Sequence, residues 1–276
     1  MDFLDRLIDL ALEEDLAAAG DITTAALVAK DAVGQAELWA KEPMVLSGCE
    51  AFSRVFQRFD PQVEVEFLAA EGEWIGKKAC IAKLSGRLSS LLSAERTALN
   101  LIQRTSGIST MARRAVKAVG RSGLRILDTR KTSPGMRDLS KAAVRAGGAL
   151  NHRFGLFDGV LIKDNHIAAV GGSIREAVRR AKGCSPRLVK IEVEITKPEQ
   201  LEDAIAEGAD AVLLDNMSDA QIRRAVKIAA GRVELEISGG VTLDRLPRLA
   251  KLGADYVSMG SLTHSAPAVD LSLEIL

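Results

Sequence analysis

Aromatic side chains are scarce in this chain: seven Phe, two Trp and one Tyr in 276 residues. Proteins that bind single-stranded nucleic acid stack bases on aromatic platforms, so the composition argues against that class. Net charge is missing too, with 37 Lys and Arg against 37 Asp and Glu. Duplex binders usually carry a clearly basic domain, so nucleic acid is set aside as a partner. Only three cysteines occur, Cys49, Cys80 and Cys184, far apart and without CxxC spacing. That indicates neither a disulfide framework nor a zinc site, and reads as thiols in a reducing cytoplasm. No stretch approaches the ~18 consecutive apolar residues of a membrane span. The N-terminal MDFLDRLIDLALEEDL carries acids throughout; it lacks the basic start and unbroken apolar core of a signal peptide. A hydrophobic content of 47% and a charged content of 27% are ordinary for a globular enzyme.

The balanced charge is unevenly distributed. Between Arg96 and Asp164 there are fourteen Lys and Arg but only four acids, Asp128, Asp138, Asp158 and Asp164. An excess of about ten positive charges in one quarter of a neutral chain points to a cationic pocket for a small, multiply anionic ligand.

The organisation changes along the chain. Phe3, Leu4, Leu7, Ile8 and Ala11 fall at helical spacing. Residues 63–67 alternate strictly and 81–84 resemble a second half-buried strand, with glycine and proline breakers between 34 and 86. This predicts an N-terminal α+β domain with an antiparallel sheet. A long helical pattern over 93–119 follows, with Gly107 as a candidate interruption. From 124 onward, apolar runs at 124–127, 159–162, 188–193, 211–214, 233–237 and 256–259 alternate with helical stretches at 173–182, 198–207, 219–229 and 243–252. Such alternation implies βαβ units and a parallel sheet, either a (β/α) barrel or an open doubly wound sheet. Every run ends in polar or charged groups. That favours the barrel, whose strand ends converge on one mouth. The domains expected are therefore 1–109, including the bridging helix, and 110–276. The C-terminal tail is a candidate for returning to the first domain.

Three constellations carry chemistry. The first is the cation set Arg130, Lys131, His152, Arg153 and Lys163. Arginine forks and lysine point charges suit carboxylate and phosphate, whereas Arg179, Arg180, Arg223 and Arg224 lie within helical patterns and read as solvated faces. The second is the strand-end acid pair Glu194 and Asp215, suited to Mg²⁺ shared with substrate phosphates. Glu192 and Glu236 read instead as partners of buried cations. The third comprises Ser238-Gly239-Gly240 and Gly260-Ser261, whose backbone N–H groups can cradle phosphate. His166 reads as a group that orients its loop, and His264 as a candidate phosphate contact.

With these residues in place, the chain resembles a family, the quinolinate phosphoribosyltransferases or carboxylating nicotinate-nucleotide pyrophosphorylases. The resemblance spans nearly the whole length. It rests on Gly20-Asp21-Ile22-Thr23-Thr24, Ala94-Glu95-Arg96-Thr97-Ala98-Leu99-Asn100 and Thr129-Arg130-Lys131-Thr132 with Pro134-Gly135. It continues through Asn151-His152-Arg153, Leu161-Ile162-Lys163-Asp164-Asn165-His166, Leu214-Asp215-Asn216, Ser238-Gly239-Gly240 and Gly260-Ser261-Leu262-Thr263-His264.

The resemblance implies an N-terminal α/β sandwich and an incomplete α/β barrel of the type II phosphoribosyltransferase kind. It implies phosphoribosyl transfer from phosphoribosyl pyrophosphate to quinolinate. Decarboxylation then gives nicotinate mononucleotide, pyrophosphate and CO2 on the de novo route to NAD, with Mg²⁺ as cofactor. It places Thr129, Arg130, Lys131, His152, Arg153 and Lys163 around quinolinate and the donor. Glu194 and Asp215 fall at the ribose and metal, and Ser238, Gly239, Gly240, Gly260, Ser261 and His264 at the phosphate. Lys131, Lys163, Glu194 and Asp215 are the catalytic candidates. Arg96 is expected to enter a second subunit's site, making a cytoplasmic homodimer with shared sites, with larger assemblies of dimers left open. Two other readings compete: a molybdenum-associated pyrophosphorylase paralogue, and a Schiff-base aldolase barrel using Lys131 or Lys163. The first should lack the Asn-His-Arg and Lys-Asp-Asn-His motifs. The second needs a desolvated lysine of depressed pKa.

Overall fold

The computed structural model describes residues 2–276, which divide into two compact units. The first comprises residues up to Arg113 together with Ser133–Gly148 and Ala266–Leu276; the second comprises Arg114–Thr132 and Ala149–Ser265. The segment 133–148 thus packs with the first unit, although it follows the 109/110 boundary read from the sequence.

The first unit contains α1 (Phe3–Leu16), α2 (Ile22–Leu27), β1 (Val33–Ala40), β2 (Met44–Val45), α3 (Cys49–Phe59), β3 (Glu64–Phe67), β4 (Trp74–Ile75), β5 (Cys80–Arg87), most of α4 (Leu88–Val119), α5 (Arg137–Ala146) and β12 (Leu271–Ile275). Its four-stranded antiparallel sheet runs β12-β1-β5-β3. Alternation sends Ala36, Leu38 and Ala40 of β1, with Ile81 of β5, into one buried cluster with Phe52, Val55 and Phe56 of α3 and Leu91, Ala98 and Ile102 of α4. Phe52 meets Phe56 and Phe67 edge-on, with ring centroids 5.2 and 5.8 Å apart.

Helix α4 also buries the hydroxyls of Thr105, Ser106, Ser109 and Thr110. All four are satisfied. Thr105 and Ser106 donate to the Ser47 carbonyl, Ser109 to that of Val45, and Thr110 accepts from the Val45 N–H. The helix is continuous through Gly107, so the interruption considered there does not occur. Glycine is needed for another reason: a Cβ at 107 would run into the Pro267 carbonyl.

The second unit has six parallel strands, β6 (Arg125–Leu127), β7 (Val160–Ile162), β8 (Ile191–Ile195), β9 (Ala211–Asp215), β10 (Glu234–Ser238) and β11 (Tyr256–Ser258). Their order is β6-β11-β10-β9-β8-β7, the incomplete barrel expected. Connecting helices are α6 (Asp164–Ala169), α7 (Ile174–Cys184), α8 (Leu201–Ala206), α9 (Asp219–Ala229), α10 (Leu246–Leu249) and α11 (Ser261–His264). The starts of α7 and α9 follow from their caps: Ser173 accepts from the Glu176 N–H, and Ser218 forms a reciprocal box with Gln221. Among the described residues, no helix is long and apolar enough to cross a membrane.

Candidate active site

Parallel strands deliver their C-terminal ends to one rim, and here that rim encloses a cavity of about 610 Å³. Thr129, Arg130 and Lys131 reach it from the loop after β6, His152 and Arg153 from the loop before β7, and Lys163 from the end of β7. Glu194 comes from β8, Asp215 from β9, and Ser238, Gly239 and Gly240 from β10 and its loop. Residues separated by more than a hundred positions in sequence therefore line one chamber.

The loop after β6 is organised from below by Asp128, which is fully buried. Its carboxylate accepts from the Asn151 amide at 2.7 Å and the His152 backbone N–H at 2.8 Å. This residue holds the Asn-His-Arg segment in place, yet the sequence reading counted it only as an acid. The segment is braced further on. Arg153 Nη1 donates to the Gly159 carbonyl at 2.9 Å, and Asp158 accepts from the N–H groups of Phe154 and Gly155. Burial and the neighbouring Arg130 pull the Arg153 guanidinium below its ordinary pKa, the mark of a cation held among cations.

His152, a member of the cation set read from the sequence, is held on both sides of its ring. The Arg153 backbone N–H donates to its Nδ1 at 2.7 Å. The other ring nitrogen is turned toward two carboxyl groups. Nε2 lies 3.0 Å from Glu192 Oε2 and 3.6 Å from Glu236 Oε2. The group that Glu192 and Glu236 meet is the half-buried His152 ring.

Lys163 pairs with Glu194 at 3.1 Å, joining the ends of neighbouring strands. Its backbone N–H donates to His166 Nδ1 at 2.9 Å, so His166 does orient this loop. Asp215 Oδ2 accepts from Asn216 Nδ2 at 2.9 Å, and the Asn216 N–H donates to the Ser238 carbonyl at 3.0 Å. Asn216 adopts φ 52°, a left-handed conformation asparagine tolerates better than most residues. Its side chain fills the space a Cβ at Gly239 would take. Gly239 and Gly240, at φ 91° and 55°, bring bare backbone to the cavity. Asn216 thus ties the acid of β9 to the glycine loop after β10.

Gly260, Ser261 and His264 stand beside this chamber rather than in its lining. A Cβ on Gly260 would come within 3.0 Å of Lys131 Cδ and 3.1 Å of His264 Nε2, so Gly260 lets the two side chains converge. The Thr263 hydroxyl fixes the Lys131 carbonyl at 2.7 Å. Arg96 belongs to the first unit, exposed on α4. Ser258 lines the cavity unanticipated, because a lone serine in a short apolar run carries no signal.

Comparison with known proteins agrees over the whole length. The quinolinate phosphoribosyl transferase N-terminal domain matches residues 21–106, and the corresponding C-terminal domain matches 108–274. The probable nicotinate-nucleotide pyrophosphorylase [carboxylating] of Bacillus subtilis is 43% identical, covering 99% of this chain and 93% of its own. The human nicotinate-nucleotide pyrophosphorylase [carboxylating] is 38% identical over 99% of this chain and 91% of its own. The crystal structure of NadC from Streptococcus pyogenes superposes with a TM-score of 0.94 at 40% identity, covering 99% of this chain and 97% of that one. With both domain matches and a 43% identical relative along its full length, this chain belongs to the quinolinate phosphoribosyltransferase family.

Proposed function

We propose that this protein transfers the phosphoribosyl group of phosphoribosyl pyrophosphate to quinolinate and decarboxylates the adduct to nicotinate mononucleotide, releasing pyrophosphate and CO2. The observation that carries the reading is the cavity rim. Arg130, Lys131, Arg153 and Lys163 converge there opposite Glu194, Asp215 and a bare glycine loop. Quinolinate brings two carboxylates and the sugar donor a phosphate and a pyrophosphate, so the chamber has to be strongly cationic.

Each group has a task. The arginine forks suit the two ring carboxylates and fix the ring nitrogen toward the ribose. As pyrophosphate departs, positive charge develops on the ribose; Glu194 and Asp215 are the carboxylates available to stabilise it, and the lysines to balance the leaving anion. The Gly239-Gly240 backbone, near Ser238, suits the 5′-phosphate, with His264 as a further contact. After transfer the ring nitrogen is positive and accepts the electrons released when the adjacent carboxylate leaves.

The donor set of Glu194 and Asp215, two partly exposed carboxylates on the cavity wall, fits Mg²⁺, which takes few protein oxygens and completes its shell with phosphate and water. Bound there, the ion neutralises pyrophosphate charge. A homodimer completes the reading, with the exposed Arg96 of one copy serving the cavity of the other. So does a cytoplasmic location, supported by three free thiols.

Incubating the protein with quinolinate, phosphoribosyl pyrophosphate and Mg²⁺ should yield nicotinate mononucleotide, identified by mass, and omission of Mg²⁺ should abolish it. No mononucleotide under these conditions would refute the reading. Arg96→Ala and Lys131→Ala homodimers should each be nearly inactive. Mixing equal amounts with subunit exchange should restore up to about a quarter of wild-type activity, because half the dimers then hold one intact site.

A further inference from the structure

Glu236 is a buried ionisable group for which phosphoribosyl transfer has no use. It lies one pleat below Ser238 on β10 and lines the lower part of the cavity with Ser258 and Leu213. Its side chain is 4% exposed, and its Oε1 is buried without a hydrogen-bond partner. Glu192 of β8 stands beside it, one pleat below Glu194. One carboxyl oxygen of each glutamate and a ring nitrogen of His152 lie within 4.8 Å of one another. Strand β11 contributes the Ser258 hydroxyl and β9 the apolar Leu213. Above is the charged ring of Arg130, Lys131, Arg153, Lys163, Glu194 and Asp215. Burial, with the Glu192 carboxylate next to it, pushes the Glu236 carboxyl up to about 8. The acid form of this lining residue is thereby favoured.

The reaction needs such an acid once. When the carboxylate at C2 of the pyridine ring leaves as CO2, the carbon–carbon bond breaks heterolytically and its electron pair stays on C2, beside the positive nitrogen. That pair must take up a proton before nicotinate mononucleotide exists. Building on the activity proposed above, we infer that Glu236 is the catalytic residue that donates this proton. Its O–H bond breaks and the C2–H bond forms as the bond from C2 to the departing carboxylate breaks, so the proton transfer lies in the step that releases CO2; the Glu236 carboxylate left behind regains a proton from solvent after product departs.

Other groups in the chamber are poorer donors. Arginine does not give up its proton. Lys163 is paired with Glu194, and the Lys131 stem is packed at Gly260 beside His264. Nε2 of His152 is engaged by Glu192. Glu236 combines a carboxyl whose acid form is favoured, a place in the lining and an oxygen, Oε1, without a hydrogen-bond partner, while its contacts with Ser258 and Glu192 hold the side chain in place.

The test is a rapid-quench single turnover of wild type, Glu236→Gln and Glu236→Asp, following pyrophosphate and CO2 separately. In Glu236→Gln, pyrophosphate release should stay within about threefold of wild type. CO2 release should slow by about 100-fold, within the range of general acid catalysis. The mononucleotide retaining both carboxylates should accumulate, and Glu236→Asp should recover part of the second step. Two results would overturn the inference: CO2 release at the wild-type rate in Glu236→Gln, or equal losses in both steps, which would mark a structural role. Should the variant not fold, wild type still decides. Its CO2 step should decline as pH rises above about 8 while pyrophosphate release does not, and a step rate flat from about pH 6 to about pH 10 would contradict the assignment. Failure of wild type to release pyrophosphate would instead refute the activity itself.

Discussion

The two rims of the parallel sheet use the same strands and opposite electrostatics. At the N-terminal rim the charges at the strand starts engage one another or the backbone. Arg125 stacks 4.3 Å from the Tyr256 ring, the Tyr256 hydroxyl meets Glu234, and Glu234 pairs with Lys190 at 2.7 Å. Asp210 and Asp255 accept from the N–H groups of Ile191 and Leu235, closing the strand starts. At the C-terminal rim four cations share one chamber with Glu194, Asp215 and the deeper Glu236, and burial with the neighbouring Arg130 depresses the Arg153 pKa. A rim that only has to hold strands together neutralises itself. A rim left with surplus positive charge is less stable alone and is completed by an anion. The contrast separates structural from functional charge without reference to any relative.

Breaking the upper rim should have the largest effects. Glu194→Ala and Asp215→Ala should each lower kcat by at least about 100-fold with little change in quinolinate KM, since their partners are the ribose and the metal. A raised KM with intact kcat would mean they bind quinolinate. Arg153→Lys keeps the charge but loses the fork, and should raise quinolinate KM by about 10- to 100-fold, the worth of a charge-assisted hydrogen bond. Asn216→Gly keeps access to the left-handed backbone and removes only the side-chain link to Asp215. It should weaken the sugar donor by about tenfold or less and spare quinolinate, whereas Asn216→Ala adds backbone strain. At the lower rim, Lys190→Ala should shift stability by about 1 kcal/mol or less and leave kcat/KM unchanged, because its partner is partly exposed. A large activity loss there would erase the distinction between rims.

Acid–base behaviour should differ between the two units as well. Asp60, buried in the first unit, is held at about 2 by Arg87 and Ser90. Its folded pKa is below its unfolded value, so its stabilisation is present above about 4 and is lost as pH falls toward 2. Asp60→Asn should therefore approach wild-type stability in acid. Glu236 has the opposite sign. Its folded pKa of about 8 exceeds the ordinary 4.5, so the native state binds the extra proton, and wild type loses stability relative to Glu236→Gln as pH rises between those values. Chemical denaturation across pH checks both.

Periodicity made the six parallel strands and helix α9 legible, because apolar runs and 3.6-residue spacing are local properties. The cationic residues were legible from type and position directly after strands. Asp128, Ser258 and the partners of the His152 ring were not. A buried aspartate that organises a loop 23 residues later looks like any other acid in sequence, and the partners of a histidine ring depend on which groups the fold brings to it. The place of β12 and α5 in the first unit does not show in local periodicity. They join the first unit through long-range contacts, such as the pairing of Leu38 with Leu273, that no window of sequence contains. The family motifs fixed which residues belong together; the strand layer beneath them, where Glu192 and Glu236 meet His152, became visible only in three dimensions.

The central claim is that the surplus charge of the upper rim is matched to an acceptor with two adjacent carboxylates. Steady-state rates with quinolinate and with nicotinate, under identical donor and Mg²⁺, test it most directly. The account predicts turnover of quinolinate with nicotinate nearly inert, since an acceptor lacking one carboxylate forfeits a charge-assisted hydrogen bond to the rim cations, a loss of about 1.5–3 kcal/mol. Comparable turnover of the two acceptors would contradict it.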